Sequence, residues 1–104
     1  MPDPVHELRE LQAEAEEARL DFIRTDLDLC LTFADVAETA YSMGHREHAE
    51  RTLASAEKGY ADMFRFFSQA TNLTPEANNE FQQTFKRLRE RLDGLQKLCQ
   101  MPFE

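Results

Sequence analysis

Only two stretches of this 104-residue chain interrupt a helical pattern: Met43-Gly44-His45, and the run Ser68-Gln69-Ala70-Thr71-Asn72-Leu73-Thr74-Pro75. Gly44 suits the left-handed position just past a helix end, where a Cβ would be strained. In the second stretch Thr74 is placed to cap a helix whose first position is Pro75 and whose second is Glu76. Its hydroxyl would satisfy a free amide, proline gives up a donor that has no partner there, and the acid faces the positive end of the helix dipole. All four prolines, Pro2, Pro4, Pro75 and Pro102, lie near ends or turns, and there are only three glycines. The intervening segments therefore predict helices over about 4–43, 46–69 and 75–99. Short connections make successive helices antiparallel, so the expected fold is all-α: one domain spanning 1–104, an antiparallel three-helix bundle with a long first helix. A break in that helix near Arg24-Thr25-Asp26 would give four helices instead.

Each segment carries an apolar stripe at helical spacing. The third reads Ala77, Phe81, Phe85, Leu88, Leu92, Leu95, Leu98; the second reads Ala49, Leu53, Ala56, Tyr60, Met63, Phe64, Phe67. The first has two. Phe22, Ile23, Leu27, Cys30, Leu31, Phe33, Ala34, Val36, Ala37, Ala40 and Tyr41 are dense and read as core, whereas Val5, Leu8, Leu11, Ala15, Ala18 and Phe22 form a thin heptad-like seam on an acidic surface. At about 1.5 Å per residue the first helix would be roughly 60 Å long and the other two near 36 Å. Its first 18 residues or so then have no partner inside the bundle and form an arm. Val5, Leu8, Leu11 and Ala15 are the residues expected to bury that arm against a second copy of the chain, as a homodimer, or against another helical protein. Phe64, Phe66 and Phe67 cannot all face one core, which leaves Phe66, with Phe103, as a further candidate contact surface.

The formal net charge is −8. Eleven acids and three arginines lie in residues 1–43, whereas residues 44–73 and 74–104 are each neutral. Such a balance argues against binding nucleic acid through its phosphates. No run approaches the ~18 apolar residues of a membrane span, and MPDPVHELRE has neither the basic start nor the apolar core of a signal peptide, so a cytoplasmic protein with no membrane partner is expected. The segment Lys86-Arg87-Leu88-Arg89-Glu90-Arg91 concentrates bases on the third helix. Arg87 and Arg91 read first as part of an exposed charged face, and second as a complement to Asp28 and Asp35 on the first helix.

Little in the chain points to chemistry. His45 and His48 are three apart and carry the least favoured reading, a metal site. The H-E-x-x-H pattern needs histidines four apart, and di-iron bundles need paired E-x-x-H; neither occurs. Cys30 has no histidine at helical spacing and reads as a small buried hydrophobe. Register places Cys99 level with Met43 and Cys30 about 20 Å lower, beyond disulfide reach. Glycine-rich phosphate loops are absent. No cofactor and no enzymatic activity are expected.

Phe33, Val36, Ala37, Ala40, Gly44, Ala49, Leu53 and Ala56 resemble one tetratricopeptide repeat, over about residues 30–63. The resemblance implies a tight helical hairpin in which Ala37, Ala49 and Ala56 let two helices approach closely, and it makes a monomeric peptide-binding module the alternative function. Ala40 stands where an aromatic is usual, Arg46 replaces an aromatic after the glycine, and no proline closes the motif near Ala61. One repeat cannot bury a continuous core, so Thr74 to Cys99 would have to cover the hairpin. The leading expectation is a small helical interaction or scaffold protein that self-associates through its N-terminal helix.

Overall fold

The computed structural model describes residues 3–71 and 73–100 and contains three helices: α1 (Pro4–Ser42), α2 (Arg46–Ser68) and α3 (Pro75–Gln100). Phe103, Pro102, Asn72 and Pro2 lie outside the described residues. The helix ends are fixed by local chemistry. Asp3 caps α1 by accepting from the Val5 N–H at 3.1 Å, with Pro4 in the first turn. Gly44 ends the helix at φ +79°, which lets the Gly44 N–H reach the Tyr41 carbonyl and the His45 N–H reach that of Ala40. This pair of bonds satisfies carbonyls that the helix end would otherwise orphan. At the start of α3 the Thr74 hydroxyl accepts from the Ala77 N–H at 3.1 Å.

α1 is continuous through Arg24-Thr25-Asp26, so the four-helix alternative does not apply. The segment contains no breaker, and the buried Ile23 and Leu27 hold it against the bundle. Arg24 also bridges outward there, to Asp21 at 2.9 Å and to Glu80 of α3 at 3.5 Å, with its guanidinium 5.0 Å from the Phe81 ring centre.

Cross-helix contacts define the topology. The end of α2 meets the start of α3 where Phe67 lies 5.2 Å from Phe81, and the start of α2 meets the end of α3 where Arg46 donates to the Cys99 carbonyl. Glu80 lies opposite Arg24 and Arg91 opposite Asp35, so α1 and α3 run in the same direction with α2 antiparallel to both. The core joins Ile23, Leu27, Cys30, Ala34 and Ala37 of α1 to Leu53, Ala56, Met63 and Phe67 of α2 and to Phe81, Phe85, Leu88, Leu92, Leu95 and Cys99 of α3. Bulk is unevenly divided. α1 and α2 face each other partly with alanine, and at Gly59 a Cβ would come 2.6 Å from the Cys30 sulfur. α3 supplies large side chains against that close-packed pair. Both cysteines are free and buried; burial, with Asp26 nearby, pushes the Cys30 thiol up to about 11.

The arm projects. From Asp3 to Arg19 every residue is exposed except Glu16, and the molecule measures 73 × 22 × 16 Å. Among the described residues, no helix is both long and apolar enough to cross a membrane.

Candidate protein-docking face

Not all of the dense stripe on α1 is core. Phe22 and Val36, both assigned to it from the sequence, are exposed, and so is Phe64 of the α2 stripe. Exposed apolar residues of α1, with Met43 at its C-cap, form a row with a step of seven: Leu8 (56% exposed), Ala15, Phe22 (55%), Leu29 (47%), Val36 (40%) and Met43 (65%). Three residues after each member comes a second row, Leu11, Ala18, Thr25, Thr32 and Thr39, also exposed. At about 100° per residue the paired rows lie roughly 150° around the helix from the bundle-facing set, the half-buried Leu20 and the buried Ile23, Leu27, Cys30, Ala34 and Ala37. α1 therefore presents one apolar face to the bundle and another, of heptad type, to solvent. Val5 sits one turn ahead of Leu8 and is 55% exposed.

This arrangement extends the expected docking residues beyond the arm. Leu8, Leu11 and Ala15 are only the N-terminal part of a face that continues over the bundle to Met43, whereas Val5, five full turns before the buried Ile23, lies at the angle of the bundle-facing side. Phe66 is brought to it: its ring meets Phe22 edge-on at 6.2 Å and carries the apolar surface onto α2. Leu29 and Met43 were missed by sequence reasoning, although the step of seven from Leu8 was there to find them. The C-terminal end of the face opens into a shallow groove lined by Asp35, Val36, Thr39, Met43, His45 and His48. Both histidines are exposed, and among the described residues no three His, Cys, Asp or Glu side chains converge as a metal site would require.

The electrostatics of the face are one-sided. Immediately before the successive members of the first row stand Glu7, Glu14, Asp21, Asp28 and Asp35, all exposed. Asp21 pairs with Arg24 and Asp35 with Arg91, whereas Glu7, Glu14 and Asp28 have no ion-pair partner among the described residues. Arg91 is therefore committed within the molecule, at 2.6 Å from Asp35 and 2.7 Å from Glu38, rather than offered to a partner. The basic segment thus acts at Arg91 as the complement to the acids of α1. Arg87, one turn earlier, is exposed and pairs with no acid among the described residues.

Further polar contacts hold the scaffold of the face. Arg89 grips Glu57 with two bonds of 2.6 and 2.8 Å and lies 4.9 Å from the Tyr60 ring centre, locking α3 to α2. The Arg89 bonds hold the Glu57 carboxyl below its ordinary value. At the root of the arm Glu16 accepts from the Thr71 N–H at 2.7 Å and from its hydroxyl at 3.0 Å. The backbone bond first, then the hydroxyl, lowers the Glu16 pKa. A carboxylate with a depressed folded value stabilises its contact at pH above the ordinary glutamate value, and the contact is lost as pH falls through the folded value. A titration followed at the Thr71 amide by NMR is therefore expected to show a midpoint below the ordinary glutamate value of about 4.3. In Glu16→Ala that transition should vanish and the Thr71 amide should exchange faster with solvent; a midpoint at or above the ordinary value would contradict the bond.

No protein-family model, curated protein or solved structure matches the chain. What can be concluded about its function rests on this geometry.

Proposed function

We propose that the protein is a small helical interaction or scaffold module that docks a helix along the outer face of α1. The supporting observation is the row Leu8, Ala15, Phe22, Leu29 and Val36, on one side of a single continuous helix, with Met43 at its C-cap, all left exposed by α2 and α3. Isolated exposed apolar residues are ordinary on a protein surface, but a contiguous row about 52 Å long is not, at 1.5 Å per residue. Shape admits two occupants, a second copy of this chain and a helix of another protein. The tetratricopeptide-like alternative is less favoured, because α3 already packs against the α1–α2 hairpin with Phe81, Phe85, Leu88, Leu92 and Leu95.

Photo-crosslinking in the source cell tests the docking face. A benzophenone side chain at position 22 or 29 should give adducts, with the chain itself or with another protein, several-fold more abundantly than one at position 83 on the exposed side of α3. Equal yields from the two faces would remove the reading.

A further inference from the structure

We infer that the occupant of this face is a basic amphipathic helix of another protein, with Lys or Arg flanking an apolar seam, rather than a second copy of this chain. The inference rests on the reading of the row from Leu8 to Met43 as a docking face. The apolar row supplies adhesion to either occupant, and the flanks decide between them. One flank consists of Glu7, Glu14, Asp21, Asp28 and Asp35. The other, four residues after each row member, consists of Gln12, Arg19, Asp26, Phe33 and Ala40, and α2 covers its last part: Ala40 is buried and Phe33 packs on the core.

A second copy laid antiparallel would set acidic flank against acidic flank in every register. Laid parallel and in register, it would set each acid against the residue five further along the partner. Only Glu14 against Arg19 is then attractive; Asp21 meets Asp26, and Asp28 and Asp35 are pressed against the uncharged Phe33 and Ala40. The whole imbalance of −8 belongs to the segment that would form the interface, so the field between two copies is repulsive as well. A helix with basic flanks makes the contacts of Glu7, Glu14, Asp21, Asp26, Asp28 and Asp35 attractive and sets only Arg19 against a like charge. It would give Glu7, Glu14 and Asp28 the ion pairs they lack among the described residues.

Shape narrows the partner further. The seven-residue step drifts slowly around a straight helix, so a partner following it wraps left-handed at a small crossing angle, about 20°. The small pair Ala15 and Ala18 calls for a large partner side chain, and Phe22 with Phe66 calls for a small one directly opposite.

The test uses the full chain and three fluorescein-labelled synthetic five-heptad helices with one leucine and alanine seam, flanked throughout by Lys, by Gln or by Glu. Anisotropy in low salt should show the Lys-flanked helix binding about ten-fold tighter than the Gln-flanked one, with no binding of the Glu-flanked one, and high salt should shrink the difference. The double variant Phe22→Ser, Leu29→Ser leaves every charge in place and alters only exposed side chains. It should weaken the Lys-flanked helix about ten-fold at unchanged circular dichroism. Equal binding of all three helices, or a chain that sediments alone as a dimer which the double variant dissociates, overturns the basic partner but leaves the docking face standing. A Lys-flanked helix held equally well by the double variant, or no binding and no self-association at all, overturns both.

Discussion

Phe85→Ala is expected to be the most damaging single truncation of this protein, at about 3–5 kcal/mol. Phe85 lies at the middle of α3 with 2% of its surface exposed, and its ring meets Phe67 at 5.4 Å, Phe64 at 5.5 Å and Tyr60 at 5.7 Å. Removing it deletes bulk that α3 brings to the close-packed α1–α2 pair, and it strips Tyr60 and Phe64 of edge contacts and Phe67 of a tilted one. A domain of this size is stable by only about 5–15 kcal/mol, so the variant should unfold at a much lower urea concentration with little change in slope. A loss below about 1 kcal/mol would mean that Tyr60 and Phe64, both partly exposed, swing in to fill the space.

Gly59→Ala is expected to destabilise by about 1–2 kcal/mol, against the direction that helix propensity alone would give. Alanine in place of a mid-helix glycine ordinarily gains up to about 1 kcal/mol. Here the new Cβ would lie 2.6 Å from the Cys30 sulfur, and Cys30 is itself buried in the core, so either the sulfur or the two helices must move. Two controls isolate the cause. In a Cys30→Ala background the penalty should disappear and the propensity gain should show, which a double-mutant cycle reads directly. At Gly94, where a Cβ would meet nothing within 4 Å, the same change should stabilise. A Gly59→Ala protein as stable as Gly94→Ala would contradict the close approach of α1 and α2.

Much of the fold is legible from single residues because the forces at helix ends are local. Gly44 and Thr74 act on amides and carbonyls within a few positions of themselves, and the structure places each where its chemistry requires; Asp3 caps α1 in the same local way, although it was not read from the sequence. The stripe of α3 was equally readable, since Phe81, Phe85, Leu88, Leu92 and Leu95 are its one apolar face and all are buried. The Glu57–Arg89 lock was not legible: it joins residues 32 apart, and no periodicity reports which of several acids on α2 will lie opposite a given arginine on α3. The docking face was half legible. Its arm residues stood out against an acidic background, but Phe22 and Val36 merged with the dense stripe, and Leu29 was passed over.

That merging marks the division between what sequence and tertiary structure each decide here. Local chemistry by itself determined an all-α chain, the turns that divide it and the concentration of negative charge on its first segment, while the continuity of α1 through Arg24-Thr25-Asp26 came from the structure. It could not determine which apolar residues of α1 remain outside, because the hydrophobic effect has no direction and a helix with two apolar rows can bury either. Phe22 and Ile23 are neighbours in sequence and about 100° apart around the helix. Only the placement of α2 and α3 on one side, imposed by short turns and by the close fit of Gly59 on Cys30, sends Ile23 inward and leaves Phe22, Leu29, Val36 and Met43 facing solvent.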